Sequence, residues 1–192
     1  MSESRLTRNK RQIRARARAA RDAIPDEERA DATRAIASTL LALPEVRHAS
    51  TVMAFDSFGS EVATTPIVEA LVGRGVRVAL PRIEGGELVA VRYRPGDAMT
   101  RAAFGMQEPA EGEPLDPSEI DVVVTPGLAF DRTCHRVGYG RGFYDRFFRR
   151  TRPDAAKVAV CFSAQLVDEV PHDTADIAVD AVVTERGVIR CR

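Results

Sequence analysis

The sequence predicts an α/β layer fold with a mainly parallel central sheet. Two observations carry this. Short apolar runs alternate with helical patterns along most of the chain, as strands joined by crossover helices require. One run, residues 121–125 (DVVVT), is apolar without interruption, as a strand covered on both faces must be. The 192 residues suit a single domain, residues 1–192, and contain no internal repeat.

Residues 5–24 read as a helix packed on that domain. Leu6, Ile13, Ala17, Ala20 and Ile24 recur at three- and four-residue steps and form one apolar stripe. Lys10, Arg14, Arg18 and Arg21 form a second, basic stripe. Residues 1–22 hold eight basic and two acidic side chains, so this arm is locally cationic. A solvated face, a transit peptide and an anion-binding arm folded onto the body are the three readings; the acids that follow at Asp22, Asp26, Glu27 and Glu28 disfavour the second.

Pro25-Asp26-Glu27-Glu28 opens a second helix, with acids where the dipole favours them, and Pro44 stops it near Leu43. Residues 51–55 (TVMAF) form a buried strand. Thr64-Thr65-Pro66 is a capped helix start, and Gly73 and Gly75 end that helix. Residues 76–80 are the next strand, and the alternation over 88–93 marks an edge or hairpin strand. Residues 94–119, rich in Pro, Gly and acids, read as a long loop. After strand 121–125 come a helix at 142–150 and strands at 158–162 and 181–184.

Composition excludes several classes. Basic and acidic residues balance at 28 each, so the chain as a whole is no polycation built for nucleic acid. No apolar run is long enough to span a bilayer, and no apolar segment of a secretory signal follows the basic start. The three cysteines, Cys134, Cys161 and Cys191, are odd in number and form no CxxC pair, which argues for a reducing cytoplasm and against a disulfide framework or zinc knuckle. Only two of the 28 basic residues are lysines, Lys10 and Lys157. A site that needs a compact ammonium cannot take arginine instead.

The densest chemistry lies in Val124 to Arg146, VTPGLAFDRTCHRVGYGRGFYDR. It follows a buried strand, where open α/β sheets place ligands. Gly138, Gly140 and Gly142 let backbone N–H groups approach an anion, and Arg136 and Arg141 flank them. Asp145 is placed to be a Mg²⁺ ligand beside a phosphate cradle, or else a first-turn acid complementing the helix dipole. GYGRG is neither a Walker A loop nor the dinucleotide fingerprint, so spacing alone leaves both readings open. Phe147 and Phe148 read as core contacts, and Cys134-His135 lacks the further ligands a metal site needs.

At this segment the sequence resembles the 5-formyltetrahydrofolate cyclo-ligase family, and the resemblance runs nearly end to end. Its pieces fall in order: Lys10 and Arg14; Phe55 to Thr64 with Glu61; Leu80-Pro81-Arg82; Phe104-Gly105-Met106-Gln107-Glu108-Pro109; Pro126 to Arg146; Val170-Pro171; and Asp176 to Glu185. The resemblance implies a three-layer α/β fold with a mainly parallel central sheet, like that of the sugar-phosphate isomerase and CoA-transferase group. It also implies an enzyme of reduced folate and ATP: a Mg²⁺-dependent closure of 5-formyltetrahydrofolate to 5,10-methenyltetrahydrofolate, releasing ADP and phosphate through a phosphorylated formyl group. Lys10 and Arg14 are then triphosphate contacts, and Lys10 and Arg136 the catalytic cations. Arg136, Val137, Gly138, Tyr139, Gly140, Arg141, Gly142, Phe143 and Tyr144 form the nucleotide loop, of which Tyr139 to Phe143 also border the folate. Glu61 holds the folate, with Asp56 and Phe58 as further pocket positions. Asp145 and Asp176 hold the metal. The expected partners are small molecules, with no nucleic acid, no membrane and a monomeric, cytoplasmic chain.

This sequence departs from the family's pattern at four positions. Cys134 stands where a glycine is usual, Val137 for leucine, Phe143 for tyrosine and Ala175 for histidine. A glycine at 134 would supply positive φ, and Phe143 keeps a stacking surface without the hydroxyl. The competing reading from another class is a non-catalytic folate- or nucleotide-binding relative. A nucleic-acid-binding protein is disfavoured, because aromatic residues do not interleave with the basic stripe.

Overall fold

The computed structural model describes residues 4–102 and 106–191. Its centre is an eight-stranded sheet. The helices are α1 (Arg5–Asp22), α2 (Asp26–Ala42), the short α3 (Pro44–Arg47), α4 (Thr65–Gly73) and α5 (Phe143–Phe148). The strands are β1 (Thr51–Met53), β2 (Arg77–Glu84), β3 (Glu87–Tyr93), β4 (Met99–Arg101), β5 (Gln107–Pro109), β6 (Pro114–Leu115), β7 (Val122–Thr125), β8 (Ala129–Phe130), β9 (Arg136–Val137), β10 (Ala156–Val160), β11 (Ala181–Thr184) and β12 (Gly187–Arg190). The sheet order is β12-β11-β10-β7-β1-β2-β3-β6, with β11, β10, β7, β1 and β2 all parallel and the outer strands antiparallel.

Strand β7 shows why the sheet is covered twice. Val122 and Val124 join a core with Ile36 and Leu40 of α2 and Ile67 and Leu71 of α4. Val123, pointing the opposite way, joins a second core with Phe130 and with Phe147 and Phe148 of α5. The expected core role of Phe147 and Phe148 is thus observed. Helix α1 lies apart from both layers. Its Ala17 is buried with Ala129, Val137 and Val170, and Ile13 packs beside them. Ile13 and Ala17 of the predicted apolar stripe therefore dock the arm on the body, near the glycine loop, whereas Ala20 is exposed and Arg21 of the predicted basic stripe is buried.

Several expectations need correction. Residues 94–119 are not structureless: β4 and β5 form a hairpin and β6 adds an edge to the main sheet. These strands are two or three residues long and half of their side chains are exposed, so apolar alternation could not reveal them. Phe104-Gly105 lies outside the described residues. Strand β3 pairs with β2 as a hairpin but is not the edge. Helix α5 spans six residues, shorter than 142–150. Thr64 does not cap α4; its hydroxyl donates to the Phe55 carbonyl at 2.5 Å instead. β12 carries an exposed, weak pattern and was not anticipated.

The cysteines are the clearest correction. Cys134 and Cys191 form a disulfide across 57 residues of sequence. Their spacing gave no sign of this, because the pairing depends on β12 returning the chain beside the loop before β9. The cysteine count thus no longer speaks for a reducing compartment. Cys161 is free and buried, and burial pushes its thiol well above the ordinary range. Among the described residues no helix is long and apolar enough to cross a membrane.

Candidate active site

Strands β1 and β7 are neighbours and parallel, yet the chain leaves them in opposite directions: β1 leads toward β2 and β7 toward β10. The segments after their carboxyl ends diverge there and open a crevice, the usual ligand position in such a sheet. A cavity of about 610 Å³ occupies it. All sixteen residues singled out from the sequence line it: Lys10, Arg14, Asp56, Phe58, Glu61, Arg136 through Asp145, and Asp176.

The segment after β1 is fastened by a reciprocal pair. The Ser57 amide donates to Thr64 Oγ1 and the Thr64 amide to Ser57 Oγ, each at 3.1 Å. This closes a compact loop that presents Asp56, Phe58 and Glu61. Glu61 is nearly buried and accepts from the Tyr139 hydroxyl at 2.7 Å and from the Phe58 amide at 3.2 Å. Burial raises its pKa, opposed by those hydrogen bonds and by Arg21 and Arg18. Asp56 is raised too, by burial. Phe58 and Tyr139 lie 5.6 Å apart between ring centres, and the Arg18 guanidinium sits 5.7 Å from the Tyr139 ring. The Tyr139 phenol is pushed up to about 12, first by burial and then by Glu61. This half of the cavity offers aromatic faces and two carboxyl groups, Glu61 and Asp56.

The glycine loop forms the other wall. Gly140 and Gly142 have positive φ, at 93° and 64°, while Gly138 does not. A Cβ at Gly140 would stand 3.1 Å from Arg14 Nη2, so this glycine also makes room for the α1 arm. Arg14 Nε donates to the Gly138 carbonyl at 2.8 Å. Arg146 ties the loop to the β2–β3 hairpin through Glu87 and the Gly86 carbonyl, and to its own strand of chain through the Arg141 carbonyl. Cys134 itself sits at φ 61°, the conformation for which glycine is suited. The substituted residue keeps the backbone angle and adds a covalent tie.

Cations and carboxylates are interleaved along the rest of the cavity. Lys10 Nζ donates to Asp176 Oδ2 at 2.5 Å. Arg136, almost fully buried, donates to Asp145 Oδ1 at 2.9 Å and to the Ile177 carbonyl, and stacks on Phe148. The Ile177 amide donates to the same Asp145 oxygen. The pKa of Asp176 is lowered, because Lys10 and the Asp173 amide outweigh its burial. Among the described residues, the hydrogen bonds on Asp145 fall on Oδ1 and those on Asp176 on Oδ2. Lys157, by contrast, is structural: it lies by Phe148 and donates to the Ala155 carbonyl. His135 stacks on His172 with ring centres 3.5 Å apart, and among the described residues no group of three His, Cys, Asp or Glu side chains is placed to hold an ion.

Residues without an assigned role complete the lining. Pro81, Ile83 and Leu88 come from the β2–β3 hairpin, and Met106, Gln107 and Glu108 from β5 and its approach. Glu108 accepts from the Ile83 amide at 3.0 Å, which joins that hairpin to β5. Pro81 and the 106–108 stretch lay in quoted motifs, yet apolar or mixed composition gave no reason to place them in a site. Arg18 and Arg21 were visible only as members of the basic stripe.

Comparison with known proteins agrees with this geometry. Residues 6–185 match the profile of the 5-formyltetrahydrofolate cyclo-ligase family. The chain is 33% identical over 178 residues to the 5-formyltetrahydrofolate cyclo-ligase of Escherichia coli K12, covering 88% of this chain and 96% of that one. It is 34% identical over 154 residues to the enzyme of that name from Mycolicibacterium smegmatis, covering 74% and 77%. The NMR structure of Aquifex aeolicus 5,10-methenyltetrahydrofolate synthetase superposes with a TM-score of 0.84 at 34% identity, covering 95% and 93%. The match extends over both walls of the cavity and the sheet that carries them, and on this ground the chain belongs to the 5-formyltetrahydrofolate cyclo-ligase family and is a ligase.

Proposed function

We propose that the protein closes 5-formyltetrahydrofolate to 5,10-methenyltetrahydrofolate, with ATP converted to ADP and phosphate and Mg²⁺ required. The observation that carries this reading is the two-sided cavity. An aromatic wall around Glu61 suits a flat, donor-rich pterin, and the side with Lys10, Arg14 and Arg136 suits phosphates.

The chemistry needs that pairing. A formamide oxygen is a poor leaving group. Its attack on the γ-phosphorus of ATP forms an O–P bond and releases ADP; N10 then attacks the formyl carbon, the C–O bond breaks, phosphate leaves and N10 gives up its proton. No protein nucleophile is called for, so the residues act by positioning and charge. Glu61 fixes the pterin so that the formyl group faces the loop. Lys10 and Arg136 already hold anionic partners. Turning toward phosphate oxygens exchanges one anion for another and leaves neither cation uncompensated.

Asp145 and Asp176 would hold magnesium. The donor set fits an ion that takes one or two protein carboxylates and completes its octahedron with phosphate oxygens and water, since each carboxylate has its hydrogen bonds on one oxygen only. When bound, magnesium supplies charge neutralisation along the phosphates.

The test is a spectrophotometric assay of methenyl product from 5-formyltetrahydrofolate, with ATP and Mg²⁺ added or withheld. The expected outcome is one ADP per product and no product without nucleotide. Product formed equally well without ATP, or none under any condition, would sink the reading.

A further inference from the structure

We propose that Arg21 is a positioning residue for folate recognition: from behind the cavity wall it holds the Glu61 carboxylate ionised and in place. The inference rests on the reading of Glu61 as the folate-binding acid.

Arg21 lies on the last turn of α1 and is only 3% exposed. It does not line the cavity, whereas Glu61 does. Its Nε donates to Ser60 Oγ at 2.9 Å, one residue before Glu61. Ser60 in turn donates to Asp22 Oδ1, so the last two residues of α1 grip the loop at one point. Its Nη1 stands 3.6 Å from Glu61 Oε1, beyond hydrogen-bond distance, and is one of two buried polar side-chain atoms without a hydrogen-bond partner among the described residues.

A buried guanidinium with an unsatisfied nitrogen is costly, and an apolar residue would fill this position more cheaply. What the guanidinium supplies is charge opposite Glu61. The groups facing that carboxylate are Arg21 and Arg18 from α1, the Tyr139 hydroxyl from the glycine loop, Tyr144 from α5, and the Phe58 amide of its own loop. Only the two arginines are cations. Arg18 is exposed and lies over the Tyr139 ring, so water screens it. Arg21 acts at short range in a poorly solvated place, where charge is worth most. Burial favours the protonated form of Glu61, and a protonated carboxyl turns one acceptor into a donor facing the donors of a pterin.

The experiment compares wild type with Arg21→Met, Arg21→Gln and Arg21→Lys by saturation with 5-formyltetrahydrofolate and with ATP across the range where a carboxylate titrates. In Arg21→Met and Arg21→Gln the KM for the folate is expected to rise about tenfold, a change of about 1.4 kcal/mol. The KM for ATP stays unchanged and the acid limb of kcat/KM moves to higher pH. Arg21→Lys, which keeps the charge, restores the limb. A merely structural arginine would lower the melting temperature without moving KM or the limb. A folded Arg21→Gln with wild-type KM and limb overturns the proposal, as does a loss that Arg21→Lys leaves unrestored. Wild-type chain that forms no methenyl product overturns the function instead. The Arg21 role is then read without substrate from the ¹³C carboxyl titration of Glu61, assigned with Glu61→Gln. Glu61 should titrate higher in Arg21→Gln than in wild type, and an unchanged titration overturns the proposal.

Discussion

Glu61 is held in a place that suits function more than stability. Its pKa is raised by burial, so the folded state takes up a proton more readily than the unfolded chain does. Its contribution to stability is therefore fullest below the ordinary glutamate range and falls as pH rises through the higher folded value. Glutamine does not titrate. The melting temperature of Glu61→Gln relative to wild type should accordingly improve as pH rises from acid to neutral, and a thermal-shift series would show it; a difference that stays flat with pH would mean that Glu61 is not the burdened group. The same variant should weaken folate by about 1.5–3 kcal/mol, because the amide loses the charge and replaces one acceptor oxygen with a donor NH2, while ATP saturation is kept. Asp145 is the opposite case. Asn keeps the shape but leaves buried Arg136 without its counter-charge. A fully buried pair broken in this way costs about 3–5 kcal/mol. Asp145 is partly exposed, so the expected loss is smaller, about 1–3 kcal/mol. Turnover should fail across a Mg²⁺ titration, and wild-type activity at every metal concentration would return Asp145 to the role of Arg136's partner alone.

Helix α1 combines two jobs that its two stripes announce. Ala17 and Ile13 dock it, and Lys10, Arg14 and Arg21 then meet Asp176, Gly138 and Glu61 on three separate segments. Lys10→Ala should raise the ATP requirement with little effect on the folate, and Lys10→Arg should rescue it only in part, because a planar guanidinium presents its charge and donors differently from the compact ammonium that reaches Asp176. Lower stability with unchanged ATP saturation would make the helix scaffolding. The arm also shows what a sequence can and cannot disclose. Periodicity placed α1 and its faces, and unbroken apolar runs placed β1, β7, β10 and β11, since each is buried among neighbours on both sides. The glycine loop stands out as glycines and arginines clustered after a buried strand, but its residue types have other uses, and the resemblance rather than the spacing assigns it a nucleotide. Partners were not legible: nothing in the pattern of Arg21 distinguishes it from Arg18, although one is buried against a carboxylate and the other lies exposed over a ring. The β4–β5 hairpin and β12 escaped because they are too short for an apolar pattern to show, each resting on backbone pairing and on one or two apolar contacts such as Met99 and Ile189.

The order of the sheet brings distant parts of the sequence to one crevice, and its far edge does the same for a covalent link. Strand β12 turns back antiparallel on β11, and Cys191 just beyond it meets Cys134, two residues before Arg136. The chain's end is thus tied to the segment that leads into the glycine loop. Cys134 is fully buried in the core that Phe130, Phe147 and Phe148 build. Closing a loop of 57 residues restricts the unfolded chain, an effect worth about 2–4 kcal/mol in typical proteins. Reduction should therefore lower the melting temperature, and Cys191→Ser should match reduced wild type while showing no further response to reductant. A thiol count on denatured protein checks the premise directly. Without reductant only Cys161 should react, and after reduction all three cysteines should. Three reactive thiols in the unreduced protein would remove the link. The loop into the site would then rest on the Cys134 backbone bonds to Asp131 and Val179, and reductant would leave the melting temperature where it was.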